Sequence, residues 1–536
     1  MKNLLLFLFT VFCFSYVAQS QEHAWVYFTD KADVTTSIAN PLTILTQRAI
    51  DRKNMHNIPI DERDVPVNET YISAVKGQSG IEVKAKSKWF NCVHVIGSVQ
   101  DIEALAAFTF VDEIVFADDS LNERNSNTDQ QQFQHKELEN LVDFDYGSSA
   151  NQIEMLHADY LHENDFTGDG MLVAIMDSGF PEVNNMAGFN RVITNNDLLG
   201  GYDFVNRTED YDAFDGSSHG TLVFSDMAGF IQDEFVGTAP DAGYYLFRTE
   251  DVSSETPVEE SYWVEAAERA DSLGVDVINT SLGYTTYDNP NYSYTPSDMD
   301  GNTAFISRGG NIAVEKGILV VTSAGNSGSS SSFPVIGAPA DSDVYAVGAV
   351  TPDEVYASFS SIGPSADGRV KPDGMAQGFQ AFVINTANNI STANGTSFSS
   401  PIMAGAITSF WQANPQLTNL EIMQMVRESS HLYNNPTNQM GYGIPDFQLA
   451  LDNLLDTTSY QKKSIKIFPN PVSDLLKIQK NGVDSLQVNI YNLLGKMVYQ
   501  NDQISSEINL SALASGIYIA KFESENFQKS LKIIKQ

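Results

Sequence analysis

Three side chains that together perform acyl transfer stand far apart in this sequence. Asp177 follows the apolar run 171–176, His219 precedes the helical run 222–230, and Ser397 begins an apolar helical run toward Trp411. In acyl transfer a carboxylate orients an imidazole, which takes the proton of a hydroxyl so that the oxygen can attack a carbonyl carbon. These residue types, each at a strand end or a helix start, predict a nucleophilic site.

Each signal is weak when it stands alone. An aspartate after a strand commonly caps a turn, and a serine at a helix start commonly caps the helix. Among the eight histidines, only His219 has a glycine-flanked helix start, whereas His157, His162 and His431 are expected at the surface or in packing. Ser397 directly follows Gly395 and Thr396, whereas no Gly-Thr pair precedes Ser391, Ser399 or Ser400. A helix N-terminus there favours the negative charge that develops during acyl transfer.

Asn326 is the fourth candidate. It lies in the Gly-rich turn 323–328, directly after the buried-strand run 318–322. A side-chain amide at that point can donate a hydrogen bond to an oxyanion, although an asparagine in such a turn can also be purely structural. The order Asp, His, Asn, Ser within one region argues against a chance arrangement, so we expect all four to form one site.

The elements that must position these residues alternate between strand and helix over 146–456. Such alternation predicts an α/β fold, with a parallel sheet and helices on both faces, and ligands bind outside the carboxyl ends of its strands. The clearest helix is predicted over 257–273. Thr256 should cap it, Glu259 should complete a capping box, and Gly274 should end it.

Composition limits the partners and the compartment. With 31 basic and 68 acidic side chains, the formal net charge is -37, which argues against nucleic acid and anionic membranes as partners. Residues 1–20 are predicted to be a signal peptide, because a basic start is followed by a short apolar run and by small residues near 18–20. A lipoprotein modified at Cys13 is disfavoured, because the residues before Cys13 do not match a lipobox. Cys92 is then the one mature cysteine, so no internal disulfide framework is expected.

The rest of the chain divides into further domains. Residues 21–121 mix short strands with helix and predict a small α+β domain, and a polar linker is expected over 122–145. Residues 463–536 predict a small β-sandwich of short alternating strands. From Gln461 onward ten lysines face six acidic residues, which reverses the charge of the preceding region and marks a separate domain.

The sequence around the four candidates resembles the subtilisin-like (subtilase) family. The matching motifs are 174–179, His219-Gly220-Thr221, 236–240, 323–326 and Gly395-Thr396-Ser397. The resemblance implies a secreted serine endopeptidase that acts on polypeptides through Asp177, His219 and Ser397, with Asn326 at the oxyanion. It also implies an edge strand at 279–283 for an extended substrate, with substrate-binding residues Ser281, Leu282, Gly283, Ser323, Ala324 and Gly325.

Two positions depart from the family pattern. Many relatives carry a second histidine where this chain has Leu222, and many carry methionine where it has Phe398. Neither position transfers a proton, so we expect activity to be kept while the pocket shape and the surroundings of the base differ.

The flanking regions carry their own resemblances. Residues 48–52 and 58–61 resemble the propeptide of secreted subtilases, which assists folding and inhibits its own enzyme until it is removed. Residues 468–471, 493–496 and 513–518 resemble a type IX secretion sorting domain, which implies outer-membrane secretion machinery as a partner and an extracellular or cell-surface location. A carbohydrate-binding or spacer sandwich is the alternative for this tail.

No cofactor is expected for catalysis. Structural calcium stays an open alternative at Asp298, Asp300 and Asn302 or at Asp210, Asp212 and Asp215, although neither group matches an EF-hand and solvated acidic loops explain both. An esterase using the same serine is disfavoured because 395–399 lacks the second glycine of a nucleophile elbow. An inactive surface adhesin on this scaffold is the alternative from another class.

Overall fold

The computed structural model describes residues 21–122, 144–459, 464–468, 470–481, 487–492, 496–501, 507–524 and 527–536. The predicted signal peptide lies outside the described residues, as does most of the predicted linker. By its internal contacts the chain divides into two compact units, Met1–Ala450 and Leu451–Gln536. Among the described residues, no helix combines the length and the hydropathy that a membrane span requires.

The first part of the larger unit is a four-stranded antiparallel sheet covered by short helices. The strand order is β2-β3-β1-β4, and alternate residues such as Val26, Val93 and Val95 point into one apolar core with Ile72 of a helix. In chain order the elements are β1 (Glu22–Phe28), α1 (Val34–Ala39), α2 (Gln47–Met55), α3 (Glu69–Lys76), β2 (Glu82–Ser87), β3 (Cys92–Gly97), α4 (Val99–Glu103) and β4 (Val111–Phe116).

The second part of this unit alternates strands with helices, as the sequence predicts. Its elements are α5 (Ala150–Glu154), α6 (Ala158–Glu163), β5 (Leu172–Asp177), α7 (Asn190–Asn195), β6 (Leu198–Asp203), α8 (His219–Ala228), β7 (Phe230–Ile231), β8 (Phe235–Val236), β9 (Gly243–Arg248), α9 (Val258–Leu273), β10 (Val277–Thr280), α10 (Phe305–Glu315), β11 (Leu319–Ser323), β12 (Tyr345–Val350), β13 (Gly374–Gln377), β14 (Ala381–Ile384), β15 (Ile390–Ala393), α11 (Thr396–Gln412) and α12 (Asn419–Ser429). The last helix, α13 (Phe447–Ser459), begins in this unit and includes the first residues of the smaller one.

Seven of these strands form one parallel sheet in the order β13-β12-β11-β10-β5-β9-β6. The chain moves from β5 to one side of the sheet, and then returns through β10 to the other side. Such a reversal opens a crevice at the carboxyl ends of the strands on either side of it. Helices cover both faces: α8 and α11 pack together against the sheet, while α9 and α10 pack together and adjoin β5 and β11.

The predicted start of α9 needs one correction. The helix begins at Val258 with Pro257 as its N-cap residue, and the Glu259 carboxylate accepts the Thr256 amide (3.0 Å). The Thr256 side chain makes no cap hydrogen bond, because the N-cap position falls on Pro257, one residue later than predicted, and the Thr256 backbone carbonyl accepts the Glu259 amide (3.2 Å). The predicted end is confirmed, since Gly274 takes the left-handed conformation with φ of 84°.

The N-terminal sheet domain docks on α9 and α10 through a buried group of charges. The Lys53 ammonium lies 2.9 Å from Asp271 and 3.1 Å from Asp64, and Arg52 lies 2.6 Å from Asp271. Lys316 reaches back to Asp64 at 2.8 Å. All five side chains are almost fully buried. Removing one partner would therefore leave a buried charge unpaired, which is strongly destabilising.

A second buried contact joins the same two parts through neutral rings. The Ser261 hydroxyl of α9 accepts the indole N–H of Trp25 (2.8 Å) and contacts Nδ1 of His94 (2.8 Å). His94 in turn shares a hydrogen bond of 2.9 Å with His23. Only one proton fits between those two ring nitrogens, so the pair cannot hold two imidazolium ions in this geometry.

The smaller unit contains two antiparallel sheets, of orders β16-β17-β20 and β19-β18-β21-β22. Their strands are β16 (Ser464–Phe468), β17 (Leu475–Asn481), β18 (Gln487–Asn492), β19 (Met497–Asn501), β20 (Glu507–Asn509), β21 (Gly516–Ser524) and β22 (Phe527–Lys535). Leu476 and Ile508 of one sheet share a core with Ile490 and Phe522 of the other. This arrangement is the β-sandwich that the alternating pattern predicts.

Candidate active site

Asp177 is the last residue of β5, at the crevice of the sheet. The apolar strand before it is buried between helices, and the Asp177 side chain is fully buried. Its Oδ1 atom accepts hydrogen bonds from the Ser178 amide (2.7 Å) and from Nδ1 of His219 (2.8 Å). A buried carboxylate held in this way fixes the ring and the tautomer of the histidine.

His219 is the first residue of α8 and lies beside Asp177. The backbone at the start of α8 comes close to the backbone that follows β5. Gly220 allows this approach, because a Cβ atom there would lie 2.5 Å from the Gly179 carbonyl oxygen. Burial lowers the pKa of His219, but the charge of Asp177 and their hydrogen bond outweigh that effect and raise the pKa above its usual 6.5. The imidazole keeps about a third of its surface exposed (32%), whereas the carboxylate of Asp177 is fully buried.

Ser397 is the second residue of α11. Gly395, the residue before this helix, has φ of 147°, which a glycine adopts readily and which turns the chain sharply into the helix. The next ring along the chain, Phe398, lies 5.7 Å from the His219 imidazole between centroids, so the start of α11 is beside the histidine. The Ser397 hydroxyl donates to the Ser281 carbonyl at 3.2 Å, and it makes no hydrogen bond to His219 within the part of the chain described.

Asn326 follows β11 in the turn that the sequence predicts, and its amide has a fixed orientation. The Thr396 amide donates to Oδ1 of Asn326 (2.8 Å), and the Thr396 hydroxyl donates to the same atom (3.0 Å). Because a backbone N–H only donates, the atom facing it must be the oxygen, and the Asn326 amide nitrogen points away from Thr396. The sequence pattern drew attention to Thr396 only as a residue next to Ser397. It did not predict that Thr396 fixes the orientation of the Asn326 amide.

The six predicted substrate-binding residues lie in two adjacent segments, 281–283 and 323–325. The Ser323 hydroxyl donates to the Leu282 carbonyl at 3.4 Å, and the Gly325 amide donates to the Thr396 hydroxyl at 3.2 Å. The edge-strand expectation for 279–283 needs correction. β10 ends at Thr280 and is flanked by β5 and β11, so only 281–283 extends beyond the sheet ladder.

Two of the aspartates considered for calcium, Asp298 and Asp300, accept hydrogen bonds within their own loop, whereas Asp212 accepts the side-chain amide of Asn184 (2.5 Å). Asp298 accepts the Thr295 amide and hydroxyl, and Asp300 accepts the Asn302 and Thr303 amides. Across the described residues, no cluster of three or more His, Cys, Asp or Glu side chains has a geometry that could hold a metal ion.

Comparison with known protein families gives three matches. The model of the subtilase family matches residues 168–443. A peptidase S8 propeptide domain of Bacteroidota matches residues 23–135. A secretion system C-terminal sorting domain matches residues 466–536.

Two subtilisins and one solved structure are among the proteins to which this chain is similar. Subtilisin NAT of Bacillus subtilis subsp. natto is 32% identical over 305 residues, which cover 56% of this chain and 70% of the relative. Subtilisin DY of Bacillus licheniformis is 33% identical over 272 residues, covering 50% and 87%. The solved structure of MycP1 from Mycobacterium smegmatis is 22% identical, with a TM-score of 0.44 over 60% of this chain and 89% of that one.

Proposed function

This chain belongs to the subtilase family of serine proteases, and we propose that Ser397, His219 and Asp177 are the catalytic triad of a secreted endopeptidase made as a zymogen. The observation that carries this assignment is the 2.8 Å hydrogen bond between Asp177 and His219 beside the start of α11. A buried carboxylate on one ring nitrogen leaves the other nitrogen free to act on Ser397.

The proposed reaction is acyl transfer in two steps. Ser397 Oγ forms a bond to the peptide carbonyl carbon as His219 takes its proton, and His219 then returns that proton to the leaving amine as the C–N bond breaks. Water attacks the acyl-enzyme by the same route, which releases the acid and restores Ser397. Asp177 stabilises the imidazolium in both steps, and the family needs no cofactor for this chemistry.

Asn326 and the Ser397 amide are proposed as the oxyanion donors. The fixed orientation of the Asn326 carboxamide supports this role, because its N–H groups are set before the charge develops. In subtilisin itself, the loss of an asparagine donor of this kind costs about 10²–10³ in kcat. Ser281, Leu282 and Gly283, with Ser323, Ala324 and Gly325, are proposed to bind the extended peptide through backbone hydrogen bonds.

The flanking domains support a zymogen that is exported. The propeptide domain marks an enzyme made as an inactive precursor, and the sorting domain directs type IX secretion to the outside of the cell or its surface. We propose the boundaries 1–20 for the signal peptide, 21–121 for the propeptide, 122–145 for the linker, 146–456 for the catalytic domain and 463–536 for the sorting domain. The propeptide is proposed to inhibit its own enzyme, and the secretion machinery to recognise the sorting domain.

Digestion of casein tests the assignment. The purified chain, once its propeptide has been cleaved and released, should digest casein, and Ser397→Ala treated in the same way should leave casein intact. Ser399→Ala is the matched control, since Ser399 is a buried serine in the same helix turn whose hydroxyl donates to the Thr396 carbonyl (3.1 Å). Equal digestion by Ser397→Ala would refute the nucleophile, and an inactive adhesin would leave casein intact in every case.

A further inference from the structure

The carbonyl oxygen of Ser397 lacks the partner that a helix normally supplies. In an α-helix this oxygen accepts the amide four residues later, which here belongs to Pro401. Pro401 lies within α11 and has no amide hydrogen, so it cannot donate. The hydroxyl of Ser281 takes that place and donates to the Ser397 carbonyl at 2.8 Å.

The Ser281 hydroxyl is itself held by a second buried side chain. The amide nitrogen of Asn279 donates to Ser281 Oγ at 3.3 Å, and Oδ1 of Asn279 accepts the Ser400 hydroxyl at 2.9 Å. Asn279 and Ser400 have no exposed surface, and Ser281 has 5%. Because Ser281 has one hydroxyl hydrogen, accepting from Asn279 leaves that hydrogen for the Ser397 carbonyl.

These hydrogen bonds form a series that begins at Ser400 on α11 and passes through Asn279 of β10 and Ser281. It returns to α11 at the Ser397 carbonyl. It therefore sets where the first turn of α11 stands relative to β10 and to segment 281–283. The proposed nucleophile is on the helix, while the proposed substrate segment continues from the strand. An error of about 1 Å between such groups costs on the order of 10² in rate.

We infer that Asn279 is a positioning residue for Ser397, acting through the Ser281 hydroxyl on the carbonyl that Pro401 leaves without a donor. This inference rests on the proposed function, since it assumes that Ser397 is the nucleophile. Asn279 touches no reacting atom in this account. Losing it should lower kcat and leave KM nearly unchanged, because the peptide-binding backbone groups stay in place.

The test compares kcat and KM of variants made as the full chain and freed of their propeptide, on a fluorescence-quenched casein peptide, with active sites counted by a serine-reactive phosphonate. Counting active sites removes any contribution from misfolded molecules. Asn279→Ala should lower kcat about 10- to 100-fold with KM within about twofold. Ser409→Ala is the matched control, a buried serine of α11 whose hydroxyl donates to the Thr238 carbonyl (2.8 Å). Its kcat should match that of the unmodified chain.

Pro401→Ala supplies a second arm, because it restores an amide hydrogen at residue 401. With that donor present, Ser281→Ala should lose far less kcat than it does when Pro401 is kept, and a general packing defect would not produce this coupling. An unchanged kcat in Asn279→Ala, or an equal loss from Ser281→Ala in both backgrounds, would overturn the inference. Failure of the proposed function would appear differently, as an unmodified chain that neither digests nor is labelled.

Discussion

Oδ1 of Asp177 lies 2.8 Å from Nδ1 of His219, although one residue ends a strand and the other begins a helix 42 residues later. The sheet produces this contact, because β5 is the strand at which the strand order reverses, and its carboxyl end opens into the crevice. The contact raises the pKa of His219 despite the opposing effect of burial. That shift makes the pH dependence of the enzyme testable.

As the pH is lowered, kcat/KM should fall to half of its plateau value at a pH above 6.5. His219 accepts the proton of Ser397 only when it is neutral, so activity is lost as the pH falls through its raised pKa. Asp177→Asn should move the midpoint to lower pH and reduce kcat by about 10⁴. Measuring kcat/KM from pH 5 to 9 for both proteins gives the two midpoints, and coinciding midpoints would contradict the role of Asp177.

Asn326→Ala should lower kcat by about 10²–10³ with little change in KM, because the lost hydrogen bond serves the transition state more than the bound substrate. Asn311→Ala is the control. Its amide also bridges backbone groups, the Gly301 carbonyl (2.9 Å) and the Asp343 amide (2.9 Å), but it lies on α10. Steady-state kinetics should show a reduced kcat for Asn326→Ala and a nearly unchanged kcat for Asn311→Ala. An equal reduction of kcat in both variants would argue against an oxyanion donor at Asn326.

Lys53→Met should loosen the propeptide in the inactive Ser397→Ala chain. Breaking a buried ion pair costs about 3–5 kcal/mol, whereas an exposed one is worth about 0–1 kcal/mol. Cys92, a free buried thiol in β3, reports the opening of this domain through its rate of labelling. We expect labelling at least about 100-fold faster for Lys53→Met. Lys86→Met, which breaks an exposed pair with Glu69, should stay near the parent rate.

Acid should open the propeptide domain of the same inactive chain through His94. Burial holds the pKa of His94 well below 6.5 and lowers that of His23 to about 4, with Glu22 and Lys84 as nearby charges. The opened form therefore binds more protons than the closed form below pH 6.5, and stability falls as the pH falls. His94→Gln keeps a hydrogen-bonding side chain but does not titrate.

The ratio of Cys92 labelling rates between the parent and His94→Gln isolates this effect. From pH 7 to pH 5 the closed form of the parent should lose about 2 kcal/mol of stability relative to that of the variant. The parent-to-variant ratio of labelling rates should therefore rise more than about tenfold. From pH 8 to pH 7 the ratio should stay nearly constant. A ratio that does not change down to pH 5 would mean that His94 titrates equally in both forms.

The sequence pointed to Asp177, His219, Ser397 and Asn326 as one candidate site because each follows a local pattern, a strand end or a helix start, and the parallel sheet gathers such ends at one edge. It did not find Thr396 or Asn279, since their roles depend on how α11 lies against β10 and β11. The expected edge strand at 279–283 was wrong for a similar reason. The composition of a short strand does not say which strands flank it, and β10 has a neighbour on each side.

Mapping a fluorophosphonate adduct shows whether Ser397 is a nucleophile activated by His219. The chain freed of its propeptide should gain one adduct, found by peptide mass analysis on Ser397. His219→Ala should react at least about 10³-fold more slowly, since the unassisted hydroxyl is a weak nucleophile. An adduct on another serine would rule out Ser397 as the nucleophile, and equal rates with and without His219 would rule out its activation by the imidazole.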